Sequence, residues 1–440
     1  MGVTVADVVD GTAVVAIGAE ASGAPAPSLH RTDLPNGLTV LSEAVPGARS
    51  VAFGAWVRAA TLHERPEEMG VSHLLEHMVF KGTRSRSSQE IALSLETLGG
   101  SLDAYTEREH TSYQARVLDE HLEAAADVIG ELIFHPLLRP EDLALERKVI
   151  LEEISMVDDT PDDIIFDVHN RALWGDHPHG YAILGTRETV KSLDVAHLRT
   201  LHARAYHPGR LVVAASGRVE HDRLLATLER AGWLDMPMGD RTPFPVDPVE
   251  VAGPHAEHVA RKDIGQVHVV LGGQGIAHGD SRRYAFALVD MLLGGGMSSK
   301  LFQRVREELG LAYSVHSFSS AYADTGSHGV YLATAPDTAQ EAVDAVREVL
   351  REIADRGLTA EELAAGKRQL RGQLVLSMEG VSSRMYRAAT TALYGEPFRS
   401  VDELMALVDA IDEDQVREVS RDFFNPDRHI LVSLGPQAVR

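Results

Sequence analysis

Two imidazoles and a carboxylate fall within five residues at His73-Leu74-Leu75-Glu76-His77, inside an apolar helical pattern. Positions i and i+4 share one face of a helix, so His73 and His77 can reach the same metal ion, with Glu76 beside them. Zinc takes nitrogen and oxygen ligands in a near-tetrahedral array, and a hydrolytic zinc keeps one position open for water. A carboxylate next to that water can take its proton. The five residues therefore supply two ligands and a general base, and they need a third ligand from elsewhere. In a chain with 21 His and 65 acidic residues, a solvated helix face would look the same.

The stretch Pro140 to Ile154 carries candidate carboxylates for a third ligand. Glu146 and Glu153 are seven positions apart and share a helix face, whereas Glu152 points about 100° away. Val149 and Ile150 mix into that side, which makes it at least partly buried. A buried carboxylate needs a cation or hydrogen-bond donors. A zinc site would satisfy Glu153, and Glu146 could orient one of the ligands. A solvated acidic helix face is the alternative.

The elements around these residues are legible. Asn36-Gly37 between apolar runs reads as a hairpin turn, and Val51–Val57 as a buried strand. Ser87-Ser88-Gln89-Glu90 opens a helix that Gly99-Gly100 closes. Helices are expected over 119–134 and 140–158, with Asp119 as an N-cap and Pro140 in the first turn. The plan then repeats. Pro208, Arg210 and Gly217 recur at an offset of 218 as Pro426, Arg428 and Gly435, and Glu141-Asp142-Leu143 recurs as Glu361-Glu362-Leu363. Prolines 237, 243, 245 and 248 mark a linker. No histidine occurs between His278 and His316, so the second copy has no counterpart of the metal helix. The fold class expected is α+β: two homologous α/β-roll domains, each an antiparallel-rich sheet flanked by helices, related by internal duplication. Residues 1–27 read as a mobile N-terminal extension, 28–235 as the metal-binding domain, 236–250 as a linker and 251–440 as the homologous domain.

Composition narrows the field. A net charge of −23 opposes nucleic-acid binding, which needs a basic face. The absence of cysteine removes disulfides, thiolate metal sites and cysteine nucleophiles. No apolar run reaches the ~18 residues of a membrane span. Asp7, Asp10 and Glu20, with no basic start, argue against a signal or transit peptide and for a bacterial cytoplasmic location.

His73-x-x-Glu76-His77 followed by Glu153 resembles the inverted zinc motif of the pitrilysin/insulinase metallopeptidases. Glu153 stands 76 positions beyond His77, the family's spacing, and Glu146 matches a further Glu one heptad earlier. Gly99 to Thr106, then Glu109-His110-Thr111-Ser112-Tyr113, is similar to the family's edge strand, which pairs with extended substrate. Asp103 stands where Asn is usual. In the second half, Gly294-Gly295-Gly296-Met297-Ser298-Ser299, Leu301-Phe302, Arg306 and Tyr313 resemble a segment whose Arg and Tyr hold substrate and the tetrahedral intermediate. The resemblance runs from about residue 30 to 436 and looks closest to the β subunit of mitochondrial processing peptidase and its bacterial relatives. In those, an acidic pair reads an arginine near the scissile bond; Asp163 and Asp167 fall at that place.

The resemblance implies a zinc endopeptidase for extended or unfolded peptides. It implies one Zn2+ per chain on His73, His77 and Glu153, with Glu146 in support. Glu76, Arg306 and Tyr313 would be catalytic, and Gly100, Ser101, Leu102, Asp103, Ala104, Asp163 and Asp167 would bind substrate. It further implies a chamber built by a homodimer, with no nucleic-acid or membrane partner. The rival expectations are a non-catalytic subunit like the core proteins of respiratory complexes, or an active subunit paired with an inactive paralogue.

Overall fold

The structure, a computed structural model, describes residues 14–17 and 29–440. Most of the expected extension 1–27 lies outside the described residues; within it, Val14–Ile17 forms a strand. The chain resolves into two compact units, each a sheet with helices on both faces. The first takes in the described residues up to Ile154, then Ala182–Val246 and Ser377–Ser400. The second comprises Ser155–Tyr181, Asp247–Leu376 and Val401–Arg440.

The first sheet contains β1 (Val14–Ile17), β2 (Leu29–Asp33), β3 (Thr39–Ala44), β4 (Ser50–Val57), β5 (Ser101–Thr106), β6 (Thr111–Leu118) and β7 (Leu211–Gly217). Their order is β1-β2-β3-β7-β4-β6-β5, and only β3 and β7 run parallel. Asn36-Gly37 makes the turn between β2 and β3, with Gly37 at φ +88. β4 reads as an unbroken apolar run because both its faces are covered. Val51, Phe53, Ala55 and Val57 join the core beneath one set of helices, and Ala52 and Trp56 join a second core on the other face.

The second sheet contains β8 (Ala256–Ala260), β9 (Val267–Gln274), β10 (Ala312–Ala321), β11 (Gly326–Thr334) and β12 (Ile430–Gly435), in the order β10-β11-β9-β12-β8. Read from its edge, this repeats the first sheet's β5-β6-β4-β7-β3, down to one parallel pair, β8 with β12. Pro208–Arg210 and Pro426–Arg428 each form a 3-10 turn leading into β7 and β12, as the offset of 218 requires.

Five helices matter to the site: α1 (Val71–Val79), α2 (Ser88–Glu96), α3 (Leu122–Phe134), α4 (Pro140–Asp158) and α5 (Pro161–Trp174). Ser87 caps α2 in a capping box with Glu90, and Pro140 opens α4. Asp119 is not the cap of α3. Residues Asp119–His121 form a 3-10 turn, and the Asp119 carboxylate instead meets Arg218 at 3.2 Å.

The duplicated halves exchange a helix. α5 packs in the second unit, where Ile165, Ala172, Leu173 and Trp174 share a core with Val270, Ile430 and Val432. Helix Val381–Leu393 packs in the first, where Met385, Ala388 and Ala389 meet Trp56, Val212 and Ala214. Arg58 fixes that helix by donating to the carbonyls of Ala392 and Leu393, each at 2.7 Å. The compact units therefore interleave along the chain where 28–235 and 251–440 run end to end. Each sheet has two apolar faces, and its own half covers only one. Among the described residues, no helix is long and apolar enough to cross a membrane.

Candidate metal centre

α1 is positioned by its apolar face and by an acid that precedes it. Leu74, Leu75 and Met78 are fully buried, and each contributes roughly 1.5–3 kcal/mol by leaving water. The helix begins after Gly70, which has no side chain to cap it and sits at φ +88. Glu64 supplies the missing acceptor: its carboxylate takes the N–H groups of Gly70 and Ser72, both at 2.8 Å. Burial pushes the Glu64 carboxyl up to about 7, against the pull of these two backbone donors. A Cβ on Gly70 would lie 2.6 Å from the Leu184 carbonyl oxygen, so the loop at Leu184-Gly185 packs against the helix start only because Gly70 is bare.

The polar side of α1 carries His73, Glu76 and His77, and α4 faces it with Glu146 and Glu153. α4 buries Leu143, Glu146, Ile150 and Ile154, a stripe at helical spacing. Val149 does not belong to it: the side chain sits on the solvent shoulder, 43 % exposed. Glu152 points outward.

Among the described residues, His73, His77 and Glu153 form the one group able to hold a metal, their ligand atoms all within 4.8 Å of one another. His73 Nε2 lies 4.0 Å from Glu153 Oε2, and His77 Nε2 lies 3.8 Å from Glu153 Oε1. These separations are too long for hydrogen bonds, yet short enough for one ion with bonds of about 2.0–2.2 Å. Glu153 Oε2 is buried without a hydrogen-bond partner, an arrangement that costs free energy unless a cation satisfies it. Burial, then the neighbouring His77, pulls His73 down to about 3, which leaves its imidazole neutral and able to ligate. The residues thus fit a zinc ion by donor type, number and convergence.

Glu146 holds His77 from behind. It accepts from His77 Nδ1 at 3.2 Å, which leaves Nε2 with the free lone pair. Its other oxygen meets Lys81 Nζ at 2.7 Å. Lys81 and Glu64 both escaped the sequence reading. The first is four residues beyond His77, a spacing that could have flagged it; the second carries no motif. Glu146→Ala is expected to weaken zinc binding about 10- to 100-fold while the fold persists, measured by competition with a chromogenic chelator.

Glu76 stands next to the ligands without joining them. Burial raises its pKa, and a hydrogen bond donated by Thr106 Oγ1 at 2.6 Å opposes that rise. Behind it lie Tyr113 and Tyr206, fully buried, with their hydroxyls 2.9 Å apart. Burial, with Glu76's charge adding to it, keeps both hydroxyls protonated. Gly100 leads into β5, and Ser101, Leu102, Asp103 and Ala104 lie along it. β5 ends its sheet, hydrogen-bonded to β6 alone among the described residues.

The remaining expected residues belong to the second unit. Arg306 sits in a π-helical turn, Phe302–Glu308, a geometry over-represented at functional sites. Its guanidinium lies 4.6 Å from the Phe302 ring centroid and 4.3 Å from that of Tyr313, and it donates to the Tyr313 carbonyl at 3.0 Å. Tyr313 is 75 % exposed, so it is not a packed strand residue. Asp163 and Asp167 are one turn apart on α5. The charges of Asp162 and Asp163 reach the Tyr331 hydroxyl, which is bonded to His268 Nδ1 at 2.9 Å.

Comparison with known proteins gives the chain's family. Residues 39–187 match the family model described as insulinase (peptidase family M16), and residues 192–370 match that of the peptidase M16 inactive domain. An uncharacterized zinc protease of Streptomyces coelicolor is 38 % identical over 93 % of this chain and 90 % of its own length. Another, from Bacillus subtilis, is 37 % identical over 93 % and 98 %. Among solved structures, a peptidase M16 inactive domain from Pseudomonas fluorescens superposes with a TM-score of 0.87 at 21 % identity, covering 94 % of this chain and 98 % of its own. A protease from Helicobacter pylori gives 0.86 at 19 %, covering 93 % and 100 %. With its site, its repeated sheets and relatives of this identity along nearly its whole length, the chain belongs to the insulinase family of peptidases, M16.

Proposed function

We propose that this chain is a zinc-dependent endopeptidase for extended or unfolded peptides. The observation that carries the reading is the convergence of His73, His77 and Glu153 with Glu76 alongside. Zinc, when bound, supplies Lewis acidity to the peptide carbonyl and to a water. Glu76 takes the proton of the attacking water at its carboxylate and then gives it to the departing amine. Glu146 keeps His77 in the tautomer that presents Nε2. The edge of β5, unpaired among the described residues, offers backbone N–H and C=O groups to an extended peptide, so Gly100 to Ala104 orient the chain to be cut. Only a segment that is extended and not already paired within its own fold can add to that edge, which favours unfolded segments.

In this reading, residues 28–235 act as the catalytic domain and 251–440 as its partner. Arg306 and Tyr313 serve the developing oxyanion. Two copies of the chain form the chamber, with Arg306 and Tyr313 of one protomer completing the zinc site of its partner. Asp163 and Asp167 pair with an arginine near the scissile bond. The intact ligand set and Glu76 favour this over a non-catalytic subunit.

Digestion of an unstructured peptide library tests both activity and specificity. Zinc-loaded protein should cut it, with arginine enriched near the cleavage point, and Asp163→Asn with Asp167→Asn should reduce that enrichment about tenfold. An unchanged profile in the double variant would remove the acidic pair. Failure of the zinc-loaded protein to cut any member would remove the peptidase reading itself.

A further inference from the structure

The strand that ends the first sheet also touches the proposed base. Side chains alternate along β5, so Leu102, Ala104 and Thr106 share one face, while Ser101, Asp103 and Tyr105 share the other. Leu102 and Ala104 pack against the core that contains Leu74, Leu75 and Met78 of α1. Thr106 is the next side chain in that row, and it meets the polar side of the same helix. Its Oγ1 donates to Glu76 Oε2 at 2.6 Å. The Thr106 backbone is held in turn. It pairs with Thr111 of β6, whose hydroxyl donates to the Ala59 carbonyl at 3.2 Å.

We infer that Thr106 is a positioning residue that couples occupancy of the β5 edge to the orientation of the Glu76 carboxylate. The inference rests on the reading of Glu76 as general base and adds to it a link between substrate docking and base geometry. A β-branched side chain has few χ1 states, so the position of the Thr106 backbone passes to its hydroxyl with little slack. A peptide that adds to β5 extends the sheet and fixes that backbone. The hydroxyl then holds one carboxylate oxygen, and the other is turned toward the water. A peptide too short to lie along β5 leaves the strand end free and gains less from the same hydrogen bond. The Thr106 hydroxyl is spent on the Glu76 carboxylate and not on a metal ligand, so its effect belongs in kcat and not in KM.

The test compares Thr106→Val and Thr106→Ser in the zinc-loaded protein. One substrate is a quenched fluorescent peptide of about ten residues, longer than the strand's six; the other is a tripeptide amide. Thr106→Val should lower kcat on the long peptide about ten- to a hundredfold, the size of one lost hydrogen bond to a charged group. KM should stay within about twofold and zinc content should be unchanged. Thr106→Ser, which keeps the hydroxyl without the branch, should recover part of the rate, and the tripeptide amide should show a several-fold smaller loss. Equal loss in the Val and Ser variants, or equal loss on both substrates, would overturn the coupling, as would an unchanged rate in Thr106→Val. Glu76→Gln measured in parallel separates the two claims. If it is inactive while Thr106→Val is unimpaired, only the coupling falls; if it retains turnover, the base and the coupling fall together.

Discussion

Glu76→Gln is expected to retain zinc and to lose peptide cleavage by roughly three orders of magnitude, within the range that general acid–base catalysis supplies. The substitution is close to isosteric, and an amide oxygen can still accept from the Thr106 hydroxyl that reaches Glu76 at 2.6 Å. Glu76 is not among the atoms that converge on the metal, so the ligand set is untouched. What the amide cannot do is accept a proton. The loss should therefore appear in kcat, with KM little changed. Zinc content by elemental analysis and kinetics on one unstructured peptide decide the matter. Turnover within about tenfold of the parent protein would show that another group takes the proton.

The second large effect is expected at Glu153. Glu153→Ala should abolish stable zinc binding and leave the fold intact. Its Oε2 is buried and has no hydrogen-bond partner, so truncation orphans no donor elsewhere. In the absence of metal, removing a carboxylate in that state should be neutral or mildly stabilising. Zinc added to the parent protein at a hundredfold its Kd should raise stability by about 2.7 kcal/mol, seen as an increase in Tm. The variant should show no such increase. A metal-dependent rise in Tm of the same size in Glu153→Ala would remove Glu153 from the ligand set.

The two predictions draw on different parts of the sequence. Glu76 was readable from a five-residue motif, because helical periodicity alone fixes its neighbours. Glu153 lies 76 positions beyond His77: its helix face offered it as a carboxylate that a metal would satisfy, with a solvated face as the alternative, and the resemblance to a family tied it to the motif. The local elements were legible for the same reason as Glu76: the Asn36-Gly37 turn, the Ser87–Glu90 capping box and the Pro140 helix start are short-range signals. The duplication was legible through the recurrence of Pro208, Arg210 and Gly217 at Pro426, Arg428 and Gly435.

Less local features were not. Val149 looks apolar enough to be inside, but the burial of α4 is set by the stripe Leu143, Glu146, Ile150 and Ile154. Asp119 has the chemistry of a cap, yet Arg218 takes it and a 3-10 turn precedes the helix. The placement of α5 and of Val381–Leu393 depends on which sheet face each covers, which no periodicity encodes. Glu64 and Thr106 are single polar residues on a loop and a strand end. Their roles follow only from the 2.8 Å and 2.6 Å contacts that the fold creates.

The most direct test of the central claim is a zinc titration read out as peptide cleavage. Protein stripped with a chelator and then exchanged into metal-free buffer should be inactive. Activity should return in proportion to added zinc and reach its plateau at one ion per chain, and His73→Ala, His77→Ala and Glu153→Ala should each fail to recover at that ratio. Full turnover in the stripped protein, or recovery in all three variants at the same zinc ratio, would contradict a peptidase centred on these residues.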